Sequence, residues 1–130
     1  MKKLFILSLA AVFLLSTVSA FAAKTVTYKG TIQGAACTIY HQVCPQNGHD
    51  PSIAVERDFV LQLNNGKTYY FMPNLDRIVK AQYDGDSVRV TGTPGKNQIW
   101  VTRLELKGKN GYQTVWSQQQ QEKKYPPTGR

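Results

Sequence analysis

The sequence predicts an all-β fold with a small helical component: a five-stranded Greek-key barrel with one short helix between its third and fourth strands. Three observations predict it. Apolar residues recur with period two in short stretches rich in β-branched and aromatic residues, the pattern of half-buried strands. Turn residues (Asn, Gly, Pro, Asp) punctuate those stretches at short intervals. A single stretch, after Pro73-Asn74, carries helical spacing instead. The chain of 130 residues fits one domain. With 42% apolar and 18% charged residues it can pack a core, and it resembles neither a multi-span membrane protein nor a disordered chain.

Residues 1–22 read as a secretory signal and stand outside the fold. Lys2 and Lys3 open it, and Leu4 to Leu15 is a nearly unbroken apolar run too short to span a bilayer. Ala20 and Ala22 then supply the small-x-small spacing that signal peptidase accepts, so cleavage is expected after Ala22, with a cut after Ala20 as the close alternative. Losing the two lysines lowers the net charge from +8 to +6. No later run approaches membrane-helix length, so the expected location is the periplasm or the exterior, with no transmembrane segment after processing.

Each element of the domain, residues 23–116, follows in order. Thr25–Ile32 alternates, with Val26, Tyr28 and Ile32 on one face. Asp58–Leu63 repeats the pattern through Phe59, Leu61 and Leu63, and Asn64-Asn65-Gly66 turns it into Lys67–Met72, a β-hairpin. Asn74 is expected to cap a short helix with Leu75, Ile78 and Val79 as its apolar stripe, ending near Tyr83. Ser87–Gly92 follows Asp84-Gly85-Asp86, with Val88 and Val90 inward. Gln98–Lys107 is the longest strand. Ile99 and Val101 share one parity and Leu104 and Leu106 the other, which predicts a bulge near Thr102-Arg103. Tyr112–Trp116 reads as a short additional strand, and residues 117–130 as a disordered polar tail.

The order strand, long loop, strand, strand, helix, strand, strand is that of the OB-fold. Tyr28-Lys29-Gly30-Thr31-Ile32, Ser87-Val88-Arg89-Val90-Thr91-Gly92-Thr93 and Asn97-Gln98-Ile99-Trp100-Val101 resemble segments of small exported bacterial OB-fold proteins, over about residues 25–106. In that group a similar first strand precedes a Cys-containing loop. The resemblance implies fold and compartment and brings no activity with it.

The only clustered chemistry is the loop after the first strand, where both Cys and both His lie within thirteen residues. In an oxidising compartment Cys37 and Cys44 are expected to form a disulfide. The alternative is a zinc or copper site made by Cys37, His41, Cys44 and His49. A weaker form keeps the disulfide and leaves His41, His49 and Asp50 as ligands. The Cys-x6-Cys spacing does not match a thioredoxin-like pair.

No catalytic constellation is legible: both His share one loop, the carboxylates read as turn and strand-exit residues, and no phosphate loop links a strand to a helix. The expectation is a non-catalytic binding or structural module without a cofactor. If Val88, Val90, Ile99 and Val101 point inward, Arg89, Thr91, Trp100 and Thr102 point outward. Tyr70 (or Tyr69), Arg89, Trp100, Arg103 and Lys80 would then furnish a ligand face. An envelope protein or an anionic oligosaccharide suits the positive charge, and export argues against nucleic acid.

Overall fold

Each half of the first strand finds a different partner, and that curls the sheet. In the computed structural model, which describes residues 24–126 and 128, β1 (Val26–Gly34) pairs antiparallel with β4 (Ser87–Gly95) through Val26–Thr31. Through Gly30–Gly34 it pairs with β2 (Phe59–Leu63). β2 turns into β3 (Tyr69–Phe71), and β4 turns into β5 (Gln98–Gly108). One parallel pairing, Phe71 with Gln98, joins β3 to β5 and closes the ring. The Phe71 N–H donates to the Asn97 carbonyl there, at 2.9 Å. β6 (Gly111–Ser117) occupies the rest of the same β5 edge, along Arg103–Gly108. The sheet therefore has six strands: five run round the ring, and β6, expected as Tyr112–Trp116, extends it. The expected signal segment lies outside the described residues.

The ring encloses one core of Ile32, Phe59, Leu61, Met72, Leu75, Val88, Val90, Ile99, Val101, Leu104 and Trp116. Period-two reading located most of these residues. It missed Val60, which is fully buried on the opposite parity of β2. The reason is a helix in the cysteine segment, α1 (Ala35–Tyr40), which packs over β1 and β2 on the outside. The long loop expected there thus holds α1 and a 3-10 turn, Pro51–Val55.

The predicted bulge is present. Thr91 faces Arg103 and Gly92 faces Val101, so Thr102 is the extra residue, and its Oγ1 donates to the Thr91 carbonyl at 3.0 Å. Gly92 has no room for a side chain, because a Cβ would run into the Trp100 carbonyl. The bulge switches the inward parity, so that Ile99, Val101 and Leu104 are all buried.

The helix between β3 and β4, α2 (Arg77–Gln82), starts later than expected, and Asn74 does not cap it. The Asn74 amide instead clamps the β5 backbone. Its Nδ2 donates to the Val101 carbonyl at 2.6 Å, and its Oδ1 accepts from the Val101 N–H at 2.8 Å. Leu75 is buried as predicted, but Ile78 is 78% exposed. Lys80 takes the inward place, donating to Asp58 Oδ1 and to the Met72 carbonyl. It is 3% exposed and belongs to no ligand face. In the polar segment after Trp116, where no fixed structure was expected, Ser117 caps α3 (Gln118–Lys124) by accepting from the Gln120 N–H at 3.2 Å. Among the described residues no helix is long and apolar enough to cross a membrane.

Replacing Asn74 by Ala leaves the Val101 N–H and carbonyl unpaired. The expected loss is about 1–3 kcal/mol in urea unfolding, larger than for a typical surface substitution.

Candidate functional site

The cysteine segment is built around a buried carboxylate. A six-residue helix has little stability of its own, and α1 has no side-chain cap at Gly34. Glu56, twenty residues beyond Ala36, supplies one: its carboxylate accepts from the Ala36 N–H at 2.9 Å and the Cys37 N–H at 3.1 Å. Glycine at position 34 makes way for it, since a Cβ there would overlap the Glu56 side chain. Arg77 ties the following chain down, with Nη2 donating to the carbonyls of Ile53 and Glu56, each at 2.8 Å. The helix ends at His41, whose φ of 57° is left-handed, and the disulfide Cys37–Cys44 fixes the chain beyond it.

That disulfide takes both thiolates away from the Cys/His metal site considered above. His41 and His49 are exposed. The Asp50 carboxylate is occupied by its own loop, accepting from Ser52 Oγ at 2.7 Å and from the N–H groups of Ser52 and Gln46. These bonds, led by that from Ser52 Oγ, hold its pKa below the ordinary carboxylate value. Asp50 is thus a loop staple. Among the described residues no group of three or more His, Cys, Asp or Glu side chains comes together as a metal-ion set.

Asp84 sits in the turn packed beneath this segment. The Gly85 N–H donates to the Ile32 carbonyl at 2.8 Å, and Gly85 lies against the Gln46 backbone. Asp84 is 1% exposed, and neither carboxylate oxygen has a hydrogen-bond partner. Burial, reinforced by the negative charges of Glu56, Asp50 and Asp86, pushes its pKa up to about 7.

Besides Lys80, the residues expected to form a ligand face, Tyr70, Arg89, Trp100 and Arg103, do not come together in one surface site: Arg89 and Arg103 meet at Glu105, and Tyr70 and Trp100 stand elsewhere. Tyr70 stacks on Tyr28 between β3 and β1, with ring centroids 4.9 Å apart and planes within 8°. Interaction with Tyr28 raises the Tyr70 phenol above its ordinary pKa. Arg89 binds Glu105 in a two-pronged ion pair, Nε at 2.7 Å and Nη2 at 2.8 Å, and lies over the Tyr112 ring at 4.2 Å. Arg103 joins the same carboxylate at 3.7 Å. Those bonds, with Arg89 first, hold the buried Glu105 below the usual carboxylate range. Arg89 pairs across the sheet with Glu105, whereas Trp100 pairs with Thr93, so Trp100 and Arg89 do not sit side by side.

Trp100 stands apart and is 52% exposed. It lines an open groove of about 290 Å³ whose other walls come from three places in the chain: Asp76 before α2, Trp116 at the end of β6, and Gln121, Glu122 and Tyr125 in the tail. Asp76 makes no side-chain cap to α2. The two remaining polar neighbours are committed, Asn74 to the Val101 backbone and Gln118 to Glu122 Oε1 at 3.2 Å. The tail residues were missed by sequence reading. The available signal was Ser117 followed by Gln120, a capping pattern at the mouth of a polar helix. The chain matches no protein-family model, no curated protein and no solved structure.

Two outcomes follow from these carboxylates and sulfurs. Changing both Cys37 and Cys44 to Ser is expected to cost about 2–3 kcal/mol in urea unfolding, the chain-entropy value for a loop of this length. The pH dependence is set by Asp84. Its folded-state pKa lies above the unfolded value of 3.8, so its stabilising proton is fully present below about pH 4 and is lost as pH rises to about 7. Stability measured by urea unfolding is expected to fall over that window. Asp84→Asn is expected to flatten the fall by about 2–4 kcal/mol. A wild-type curve rising between pH 4 and 8 would contradict this account.

Proposed function

We propose that the protein is an exported, non-catalytic binding module on an OB-fold-like barrel, and that it meets its ligand at the Trp100 groove. The fold reading is supported by the five-strand ring with its parallel β3–β5 closure and by the helix between β3 and β4. It agrees with the resemblance to small exported OB-fold proteins. Export is supported by the character of residues 1–22, and the Cys37–Cys44 disulfide is compatible with an oxidising compartment.

The observation that carries the binding reading is Trp100. Leaving half of an indole in water forgoes burial worth about 25 cal/mol per Å² of apolar surface. Here neither β6 nor α3 covers it, although both lie beside it. Trp100 shares its groove with the rings of Trp116 and Tyr125 and with a few polar side chains, the combination of aromatic surface and placed polar groups that ligand sites use. The non-catalytic reading is supported by the sulfurs, which are bonded to each other, and by the Asp50 and Glu105 carboxylates, which are held by hydrogen bonds, while Asp84, which has no such partner, is sealed from solvent. Arg89 and Arg103 converge on Glu105, whose carboxylate engages them and leaves them poorly placed to hold an anionic ligand.

The test is tryptophan emission of the processed protein, titrated in turn with an oligosaccharide, a single-stranded oligonucleotide and a peptide. One class is expected to shift the wild-type emission saturably, while Trp100→Ala keeps the wild-type melting temperature within about 2 °C and abolishes the shift. Silence toward all three classes overturns the proposal.

A further inference from the structure

We infer that the ligand of the Trp100 groove is an uncharged oligosaccharide, one free of carboxylate, phosphate and sulfate groups. This rests on the reading of Trp100 as the ligand contact and goes on to name the class. Three features of the groove select it.

The first is the platform. A sugar ring has one face made largely of C–H groups, and that face packs on an aromatic ring without losing the hydrogen bonds of its hydroxyls at the rim. Trp100 offers such a face, half open, with Tyr125 as a second exposed aromatic in the same wall.

The second is the kind of polar group around the platform. Asp76 and Glu122 contribute carboxylates and Gln121 an amide. Each is a planar group with two polar atoms, suited to pair with neighbouring hydroxyls of one sugar. Asp76 is free of capping duty, and Glu122 keeps one oxygen beyond the one that Gln118 engages.

The third is charge. The groove is lined by two carboxylates and by no Lys, Arg or His. An anionic group brought to about 4 Å of either carboxylate meets a repulsion on the order of 1 kcal/mol even in bulk water, and more in the groove. Arg77, next to Asp76, is turned to the Ile53 and Glu56 carbonyls, and Lys123 and Lys124, beside Glu122, do not line the groove; Lys124 lies over the Tyr125 ring at 5.4 Å. The protein as a whole is strongly basic, so the net charge favours anionic glycans while the groove opposes them. Contact groups act at bonding distance, whereas distant surface charge is screened beyond about 10 Å at ordinary ionic strength. The local sign therefore decides.

The experiment titrates the processed protein with three probes: a neutral trisaccharide of N-acetylglucosamine, a trisaccharide of galacturonic acid, and choline as an organic cation, all read by tryptophan emission. The neutral trisaccharide is expected to shift the emission saturably, with at least about a tenfold loss of affinity in Trp100→Ala. Gln121→Ala, on the tail helix, is expected to lose affinity by a smaller factor, and it serves as the second variant should Trp100→Ala unfold. The acidic trisaccharide is expected to bind at least about tenfold more weakly than the neutral one. The paired change Asp76→Asn with Glu122→Gln is expected to narrow that gap. Equal binding of the two trisaccharides, or a response to choline alone, overturns the sugar inference and leaves Trp100 as a ligand contact. No response to any of these probes overturns the sugar inference, and the reading of Trp100 as a ligand contact then falls only if the oligonucleotide and peptide titrations are silent too.

Discussion

A single parallel bridge, Phe71 against Gln98, turns an otherwise antiparallel sheet into a ring, and the position of almost everything else depends on it. One backbone pairing is a small attachment. It holds because Asn74, three residues after Phe71, grips Val101, three residues after Gln98, through both of its amide atoms. Bridge and clamp together fix the start of β5 at two points, Gln98 and Val101. Trp100 lies between them, so the closure that encloses the core also holds the indole at the surface. Gly92 completes the arrangement from β4, since only a residue without a Cβ lets the β4 backbone approach the Trp100 carbonyl.

Away from the groove, the molecule relies on carboxylates placed where water is excluded, and the three buried ones behave differently. Glu105 sits among arginines on the outer sheet face and remains charged at low cost. Glu56 accepts two backbone N–H groups and organises the cysteine segment. Asp84 has neither kind of partner and faces other negative charges, so its environment favours the neutral acid. The turn containing Asp84 also carries the bonds to Ile32 and the contact with Gln46, which links the charge state of one side chain to the seating of the disulfide-closed segment. The disulfide and Glu56 hold that segment from its two ends, one by a covalent bond and one by capping.

Legibility in the sequence followed the range of the interaction. The Phe59–Leu63 and Tyr69–Phe71 hairpin was readable because Asn64-Asn65-Gly66 encodes its turn locally. The bulge at Thr102 was readable because the parity of apolar residues changes across it. Val60 was not, since a residue's parity says which face it takes and nothing about what covers that face. Asn74 was misread for a related reason. An Asn before an apolar stretch is a fair helix cap, but the backbone of Val101 offered it two hydrogen bonds in place of one. Lys80 was placed on the surface because lysine is rarely buried unpaired, and its partner Asp58 lies on a different element. The candidate site was legible in one residue, Trp100, whose outward direction followed from strand alternation.

What the sequence by itself determined was the set of strands, their inward faces, the turns that separate them and the nearness of Cys37 to Cys44. These are properties of chain geometry over a few residues: side chains alternate along a strand, and Asn and Gly accept turn conformations that other residues resist. What only the tertiary structure decided was the closure of the ring, the service of Glu56 and Asn74 to backbone groups about twenty residues or more away, the burial of Asp84, and the assembly of Asp76, Trp100 and the tail helix into one groove. Hydrogen bonds and charges act over a few ångströms of space. Residues far apart in sequence acquire those separations only when the whole chain has packed, so no local pattern announces them.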